Sequence, residues 1–284
     1  MRVDRRFLFL LPLVLAFAVA ILAPIIIMAT LSLFKTNFIF TKYVGLQNFV
    51  AVFQERKFLQ AAGNTIFYAA IAVPAGTFLP LWAALTAHGM RKSMRNLLRF
   101  GMYLPTLASG IVMAGTWRIL FDYRKGMINW LLSLASIDPV AWWFQRSSAI
   151  PLICGIIVIT IWLGGITAMY MAVLNAIPEE LYQAARVDGA NWAQIQRHVL
   201  LPMIAPSIGF AMLIALINIM TMWEHIFLLT SGGPDGATAT FAFHIYFTAF
   251  QRGDYGAASA QSLLLFFLVL GLALGREKIQ RSFV

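Results

Sequence analysis

The sequence predicts an all-α membrane protein of six transmembrane helices, and three observations carry that expectation. Of 284 residues, 61% are hydrophobic and only 11% are charged, whereas soluble domains carry about 25% charged residues. A water-soluble globule of this composition lacks the polar side chains to cover itself, so lipid must solvate part of it. The apolar runs are also continuous and near the ~20 residues a helix needs to cross a ~30 Å hydrocarbon core. They show none of the alternation of membrane β-strands. Finally, the formal net charge of +10 sits in short clusters between the runs, which is how charge is distributed on membrane-protein loops and not on a nucleic-acid-binding face.

The expected spans run over about 7–34, 61–87, 97–121, 149–175, 204–230 and 257–275, in one transmembrane domain covering 1–284. In lipid every backbone polar group must be satisfied within the segment, so runs of this kind are helices. The first follows Arg2, Arg5 and Arg6, with small residues at Ala16, Ala18 and Ala20. That pattern is like a signal peptide, but the apolar run continues to Leu33, past the ~7–15 residues of a signal core, so an uncleaved helix is expected. Pro12, Pro24, Pro74, Pro80, Pro105 and Pro206 fall in or beside spans and predict bends. The densest basic clusters are Arg2/Arg5/Arg6, Arg91/Lys92/Arg95/Arg99, Arg186/Arg197 and Arg276/Lys278/Arg281. With an even number of spans they share one face, which places both termini in the cytoplasm. The loops 35–60 and 122–148, the latter with Trp130, Trp142 and Trp143, are expected along the outer surface.

Catalytic and metal chemistry find little support. Cys154 is the only cysteine and reads as a small buried hydrophobe. His88, His198 and His244 are far apart and without companions, so a metal site is not expected. Asp122, Asp138 and Asp254 lie in loops, solvated or paired with neighbouring arginines.

The segment 176–203 is a long polar break on the inner side. Pro178 can start a helix, and Glu179 and Glu180 suit its N-terminal end. Gly189 permits a sharp reversal, Asp188 can cap the second half of the segment, and Trp192, Ile195 and Val199 recur at helical spacing. Pro202 closes the segment. Two short amphipathic helices with a tight bend are expected. Their apolar face fits either a groove on a partner protein or the lipid interface.

The stretch PEELYQAARVDGA followed by LLP resembles the EAA loop of ABC importer permeases, with matching positions at Ala184, Ala185, Asp188, Gly189, Ala190, Leu201 and Pro202. The leading glutamate of that motif is Gln183 here. The family's bulky aromatic position falls at Gln196, with Trp192 and Ile195 nearby. Tyr43 to Phe49 is similar to a Y-x-G-L-x-N-F stretch of sugar permeases. Trp162-Leu163-Gly164 stands at the family's distance before the loop, and Leu229 to Pro234 is similar to an L-T-x-G-G-P signature. Tyr246, Ala249-Phe250, Tyr255-Gly256 and Ala258 follow the family's spacing. The likeness covers nearly the whole chain and points to the carbohydrate branch (maltose, glycerol-phosphate and oligosaccharide importers).

The resemblance implies the type I ABC importer permease fold in a bacterial cytoplasmic (inner) membrane, with 176–203 as a cytosolic two-helix coupling loop. Contact with the ATPase is then expected from Glu180, Gln183, Ala184, Ala185, Asp188, Gly189, Ala190, Trp192, Ile195, Leu201 and Pro202. It implies a second, related but different permease chain, two ATP-binding subunits and an extracytoplasmic solute-binding protein. No phosphate-cradling G-x-x-x-x-G-K-[ST] sequence occurs in the chain. ATP and Mg therefore belong to the partner, and no cofactor is expected here, nor nucleic acid.

For the solute path, Thr160, Gly164 and Thr167 share one helical face, which serves either a solute or helix packing. Asn218, Thr221, Trp223 and Glu224 are unusually polar for a span. Glu224 faces either a cavity or the outer interface, beside His225 or a partner subunit. Trp223 can stack on a sugar ring or anchor in the interface. The competing class is a single-chain ion-coupled carrier. Such carriers bury several ionisable groups along a relay, and Glu224 stands almost alone.

Overall fold

The computed structural model describes residues 10–281 except 38 and 40. The Arg2/Arg5/Arg6 cluster lies outside the described residues, as do the side chains of Arg276, Lys278 and Arg281. The first long helix is α1 (Pro12–Leu31), followed by the hairpin β1 (Phe34–Thr36) and β2 (Thr41–Tyr43) and by α2 (Gln47–Gln54). Then come α3 (Arg56–His88), α4 (Lys92–Leu107), α5 (Gly110–Leu120), α6 (Met127–Leu134), α7 (Arg146–Thr160) and α8 (Leu163–Asn175). The chain ends with α9 (Glu179–Val187), α10 (Trp192–Met220), α11 (Glu224–Leu229), α12 (Phe241–Tyr246) and α13 (Tyr255–Arg281). Two compact units result, one formed by the chain up to Leu59 and by His244–Leu270, the other by Gln60–Phe243 and the chain from Gly271.

Among the described residues four helices are long and apolar enough to cross a membrane: α1, α3, α10 and α13 as far as Gly275. Two bent pairs raise the number to six if each pair crosses as one span. The predicted third span, 97–121, is not one rod. Its halves α4 and α5 meet at 97°. Pro105 sits in a tight 3₁₀ turn, Leu104–Leu107, and Ser109 restarts the chain by accepting a hydrogen bond from the Val112 N–H at 3.4 Å. The fourth is broken more gently, α7 to α8, by 49°.

Proline is absorbed in a repeated way. Wide π turns cover Ala18–Leu22 and Gln196–Leu200, each ending two residues before a proline, Pro24 and Pro202. A proline ring collides with the carbonyl four residues earlier. Those carbonyls belong to Ala20 and His198, inside the widened turns, where the usual ladder is already interrupted. Helices α1 and α10 therefore run through their prolines.

In the first unit, α1 leaves Leu13, Val14, Phe17 and Val19 more than half exposed, an apolar surface suited to lipid or a partner helix. The hairpin is antiparallel, Phe34 opposite Tyr43 and Thr36 opposite Thr41. Asn48 ties it down from α2: its buried amide donates to the Ser32 carbonyl at 2.8 Å and the Phe34 carbonyl at 2.9 Å. Gly256 of α13 lies against the Phe34 carbonyl, where any Cβ would collide.

In the second unit the core is built from Tyr68, Ile150, Ile153, Tyr170, Leu174, Ile204 and Ile219, all fully buried. The loop 122–148 carries α6 and is organised by buried Asn129. That side chain donates to the carbonyls of Tyr123 (3.1 Å) and Val140 (3.0 Å) and accepts from the Trp142 indole N–H (3.0 Å). Trp142 is thus held by the loop itself. Asp122 accepts from the backbone N–H groups of Lys125 (2.8 Å) and Arg124 (3.0 Å). These two bonds, Lys125's the larger effect, hold its carboxyl below the usual carboxylate range.

Candidate functional site: the reversal at 176–203 and the cleft beyond α10

The segment 176–203 is two helices joined at a defined stop and start. Helix α9 follows Pro178, with Glu179 and Glu180 in its first turn, where carboxylates suit the positive end of the helix. At its other end the Gly189 N–H reaches the Arg186 carbonyl (3.0 Å) and the Ala190 N–H the Ala185 carbonyl (2.9 Å). Gly189 has φ +81°. This is a Schellman stop, which needs a left-handed residue just past the helix. Two residues on, Asn191 and Gln194 form a capping box. The Asn191 side chain accepts the Gln194 N–H at 2.9 Å, and the Asn191 N–H donates to the Gln194 side chain at 2.8 Å. The cap is therefore Asn191, where Asp188 was expected; Asp188 instead closes α9. Pro202 does not close the segment either. Because the π turn relieves it, α10 runs unbroken from Trp192 to Met220.

The expected coupling residues separate into two sets. Glu180, Gln183, Ala184, Asp188, Gly189, Trp192 and Pro202 are exposed. Ile195, at 2% exposure, belongs to the core, and Ala185, Ala190 and Leu201 are packed against it. Tyr182 anchors α9: its buried ring stacks on His88 at 5.6 Å and 27°, and burial raises its phenol above the usual value. Leu181, Trp192 and Val187, the last 87% exposed, present apolar side chains outward. A groove of about 630 Å³ runs beside Trp192, lined also by His88, Glu179, Gln183 and Arg186 among others.

At its far end α10 stops at Met220, and residues 221–223 break the helix before α11. Trp223 and Glu224 therefore lie at a helix break and not within the fifth span as expected. A cleft of about 210 Å³ opens there, lined by Ile157, Trp162, Asn218, Thr221, Trp223, Glu224 and His225 with Ile219 and Met222. Asn218, Thr221, Trp223 and Glu224 are exposed. A Cβ at Gly110 would stand 3.0 Å from the Glu224 Oε1, so this carboxylate sits at the first turn of α5.

Thr160, Gly164 and Thr167 are not brought to this cleft. The Thr160 hydroxyl donates to Ile156 (2.6 Å) and the Thr167 hydroxyl to Pro80 (3.4 Å). A Cβ at Gly164 would lie 2.5 Å from the Met102 carbonyl oxygen. The contacts of Gly164 and Thr167 are those of helix packing, while the Thr160 bond stays within its own helix. From that region it is Ile157 and Trp162, the latter expected only as part of a family motif, that border the cleft.

The Leu229–Pro234 signature forms a compact loop with a cis Gly233–Pro234 bond. Thr238 donates to the Gly233 carbonyl (2.9 Å) and meets the Thr230 hydroxyl at 2.7 Å. Asn64 of α3 donates to the carbonyls of Gly236 and Ala239, both at 2.9 Å. The Thr65 hydroxyl accepts the Phe241 N–H at 2.8 Å. Sequence reasoning missed Asn64 and Thr65, although a polar pair inside an apolar span was a visible signal.

Known proteins resemble the chain in sequence and in fold. Residues 47–276 match the family described as binding-protein-dependent transport system inner membrane component. The chain is 32% identical over 279 residues to the trehalose/maltose transport system permease protein MalF of Thermococcus litoralis, covering 97% of this chain and 93% of that one. It is 30% identical over 242 residues to the sulfoquinovosyl glycerol transport system permease protein SmoG of Agrobacterium fabrum, covering 84% and 76%. Among solved structures, a bacterial ABC transporter involved in import of the acidic polysaccharide alginate superposes with a TM-score of 0.88 at 26% identity, over 97% of this chain and 94% of that one. The chain belongs to the binding-protein-dependent transport system inner membrane components and has the fold of an ABC importer permease.

Proposed function

We propose that this chain forms half of the translocation path for a sugar-like solute and takes its motion from a separate ATPase gripping residues 178–202. The observation that carries this reading is the continuity of α10. One helix of 29 residues, roughly 43 Å long at 1.5 Å per residue, joins the reversal at Gly189 to the cleft at Asn218. A stiff helix transmits a displacement at one end to the other, and packed elements switch between discrete arrangements. Docking of α9 in a cleft of the ATPase would thus be felt where Trp223 and Glu224 stand.

The exposed set on α9 and its neighbours supports docking: Leu181, Val187 and Trp192 offer an apolar face ringed by Glu180, Gln183 and Asp188. Gln183 supplies a neutral side chain where related permeases carry a glutamate, so docking relies on the apolar face more than on that charge. The cleft at the other end of α10 suits a hydroxyl-rich solute, offering an indole face and the polar groups of Asn218, Thr221 and Glu224. A second permease subunit would supply the other half, two ATP-binding subunits the hydrolysis, and an extracytoplasmic binding protein the solute. The related alginate transporter is known in complex with a periplasmic protein carrying an alginate pentasaccharide. The reversal then lies in the cytoplasm, with both termini.

Purification from native membranes tests the reading. A nucleotide-hydrolysing subunit should accompany the chain, and its activity should rise with solute-loaded binding protein. Transport by the purified chain with no such companion would contradict it and favour an ion-coupled carrier.

A further inference from the structure

We infer that the cleft beyond α10 disfavours anions, so that its cargo is an uncharged, hydroxyl-rich molecule, and that Glu224 is the charge responsible; the inference rests on the reading that the cleft belongs to the solute path.

Neither lysine nor arginine is among the residues lining the cleft. Glu224 has no ion-pair partner among the described residues; the two ion pairs found there both involve Glu55. A carboxylate set only to hold helices together in an apolar surrounding would be expected beside a cation. Here the carboxylate lies at the opening turn of α5, where Gly110 has no side chain to obstruct it. The positive end of an 11-residue helix is a favourable place for such a group, yet one that leaves its negative field directed into the cleft. An ionised carboxylate only accepts hydrogen bonds, which matches the hydroxyls of a neutral sugar and opposes a uronate, sulfonate or phosphate. Asn218 can donate to ring or hydroxyl oxygens, and the exposed Trp223 offers a face for the apolar side of a pyranose. The Thr221 hydroxyl already donates to the Ile217 carbonyl at 2.9 Å and is left to accept.

The test reads the field directly. In the complete transporter in membrane vesicles, Asn218→Cys is treated with methanethiosulfonate reagents, one carrying trimethylammonium and one carrying sulfonate. Cys154 is buried, so the native chain contributes little background. Rates are referred to a free thiol, at pH 8 to keep the imidazole of His225 neutral. By Coulomb's law in water, a full charge changes each reagent's local concentration roughly threefold at a separation of ~7 Å, in opposite senses, which sets the expected cation-to-anion preference at up to about tenfold. Glu224→Gln should bring that preference close to one. Thr221→Cys is a second reporter should the first variant fail to assemble. A preference near one with Glu224 present, or one that Glu224→Gln leaves unchanged, overturns the charge filter while leaving the path in place. Reaction with neither reagent at both positions in an assembled transporter removes the path itself, and the inference with it.

Discussion

Gly189 is where backbone geometry can be separated from contact. Its φ is +81°, and a Cβ built there meets no atom within 4 Å. Substitution in this chain therefore costs only the left-handed conformation, with no overpacking to add. That cost is about 1–2 kcal/mol for a residue with a Cβ, with β-branched side chains at the upper end and asparagine well below. A strain of that size shifts the balance between the native reversal and a relaxed one about 5- to 30-fold. Relaxation undoes the bonds from Gly189 to Arg186 and from Ala190 to Ala185 and so changes the angle at which α9 leaves α10. In the reconstituted transporter, solute moved per ATP hydrolysed is expected to fall in the order Gly189, Gly189→Asn, Gly189→Ala, Gly189→Val. If Gly189→Val couples as well as the native chain, the reversal is not what transmits motion. If Gly189→Asn is as damaging as Gly189→Val, space in the assembled complex is what matters and the conformational reasoning fails.

Other positions give sharper single outcomes. Gly164→Ala places a Cβ 2.5 Å from the Met102 carbonyl, an overpacking against rigid backbone worth about 1–3 kcal/mol. At ~2.1 cal/mol/K per residue over this chain, the melting temperature should drop by roughly 2–5 °C, and an unchanged value would mean α8 and α4 are not this close. His244 is buried beside Glu55 (3.4 Å), Gln261 (3.2 Å), Thr248 and the ring of Phe58, with Arg252 also on Glu55 at 2.5 Å. Burial lowers the His244 pKa, more than the nearby Glu55 carboxylate raises it. The unfolded chain thus holds its proton more tightly, and stability from this group is full above pH ~6.5 and declines as pH falls from there to the depressed value. His244→Gln should flatten the melting temperature between pH 7.5 and 5.5, and an equal slope in both proteins would refute this. Trp223→Ala should lower uptake several-fold while the subunits still co-purify; unchanged uptake kinetics would remove Trp223 from the solute path.

Much of the fold could be read locally. The apolar runs announced the long helices, and Asp188-Gly189-Ala190 announced a reversal, because a left-handed stop and the cap beyond it are properties of a few adjacent residues. The features that sequence reasoning missed either have no local composition of their own or depend on partners distant along the chain. Pro202 looked like a terminator because the π turn that accommodates it has no composition of its own. The 97° break at residues 107–110 was hidden inside a run apolar enough to be continuous. Thr160, Gly164 and Thr167 were expected on one face, but a 49° bend puts Thr160 on α7 and the other two on α8, and spacing cannot say what they meet: Thr167 meets Pro80 and Gly164 the Met102 backbone. The same limit applied to Ile195, grouped with exposed neighbours although it points into the core. Glu224 was noticed because it was polar in an apolar stretch. Its place at the start of α5 required the fold to bring Gly110 beside it.

Val187 offers the most direct measurement of the claim that residues 178–202 are held by a separate motor. It is 87% exposed at the end of α9, and the native cysteine is buried. In the assembled transporter, Val187→Cys is expected to cross-link to a cysteine introduced in the ATP-binding subunit, with a yield that changes when nucleotide is added. It should also resist membrane-impermeant thiol reagents applied to intact cells. Labelling from outside, or a fully assembled and active transporter in which no position on α9 cross-links to the ATPase, would contradict the claim.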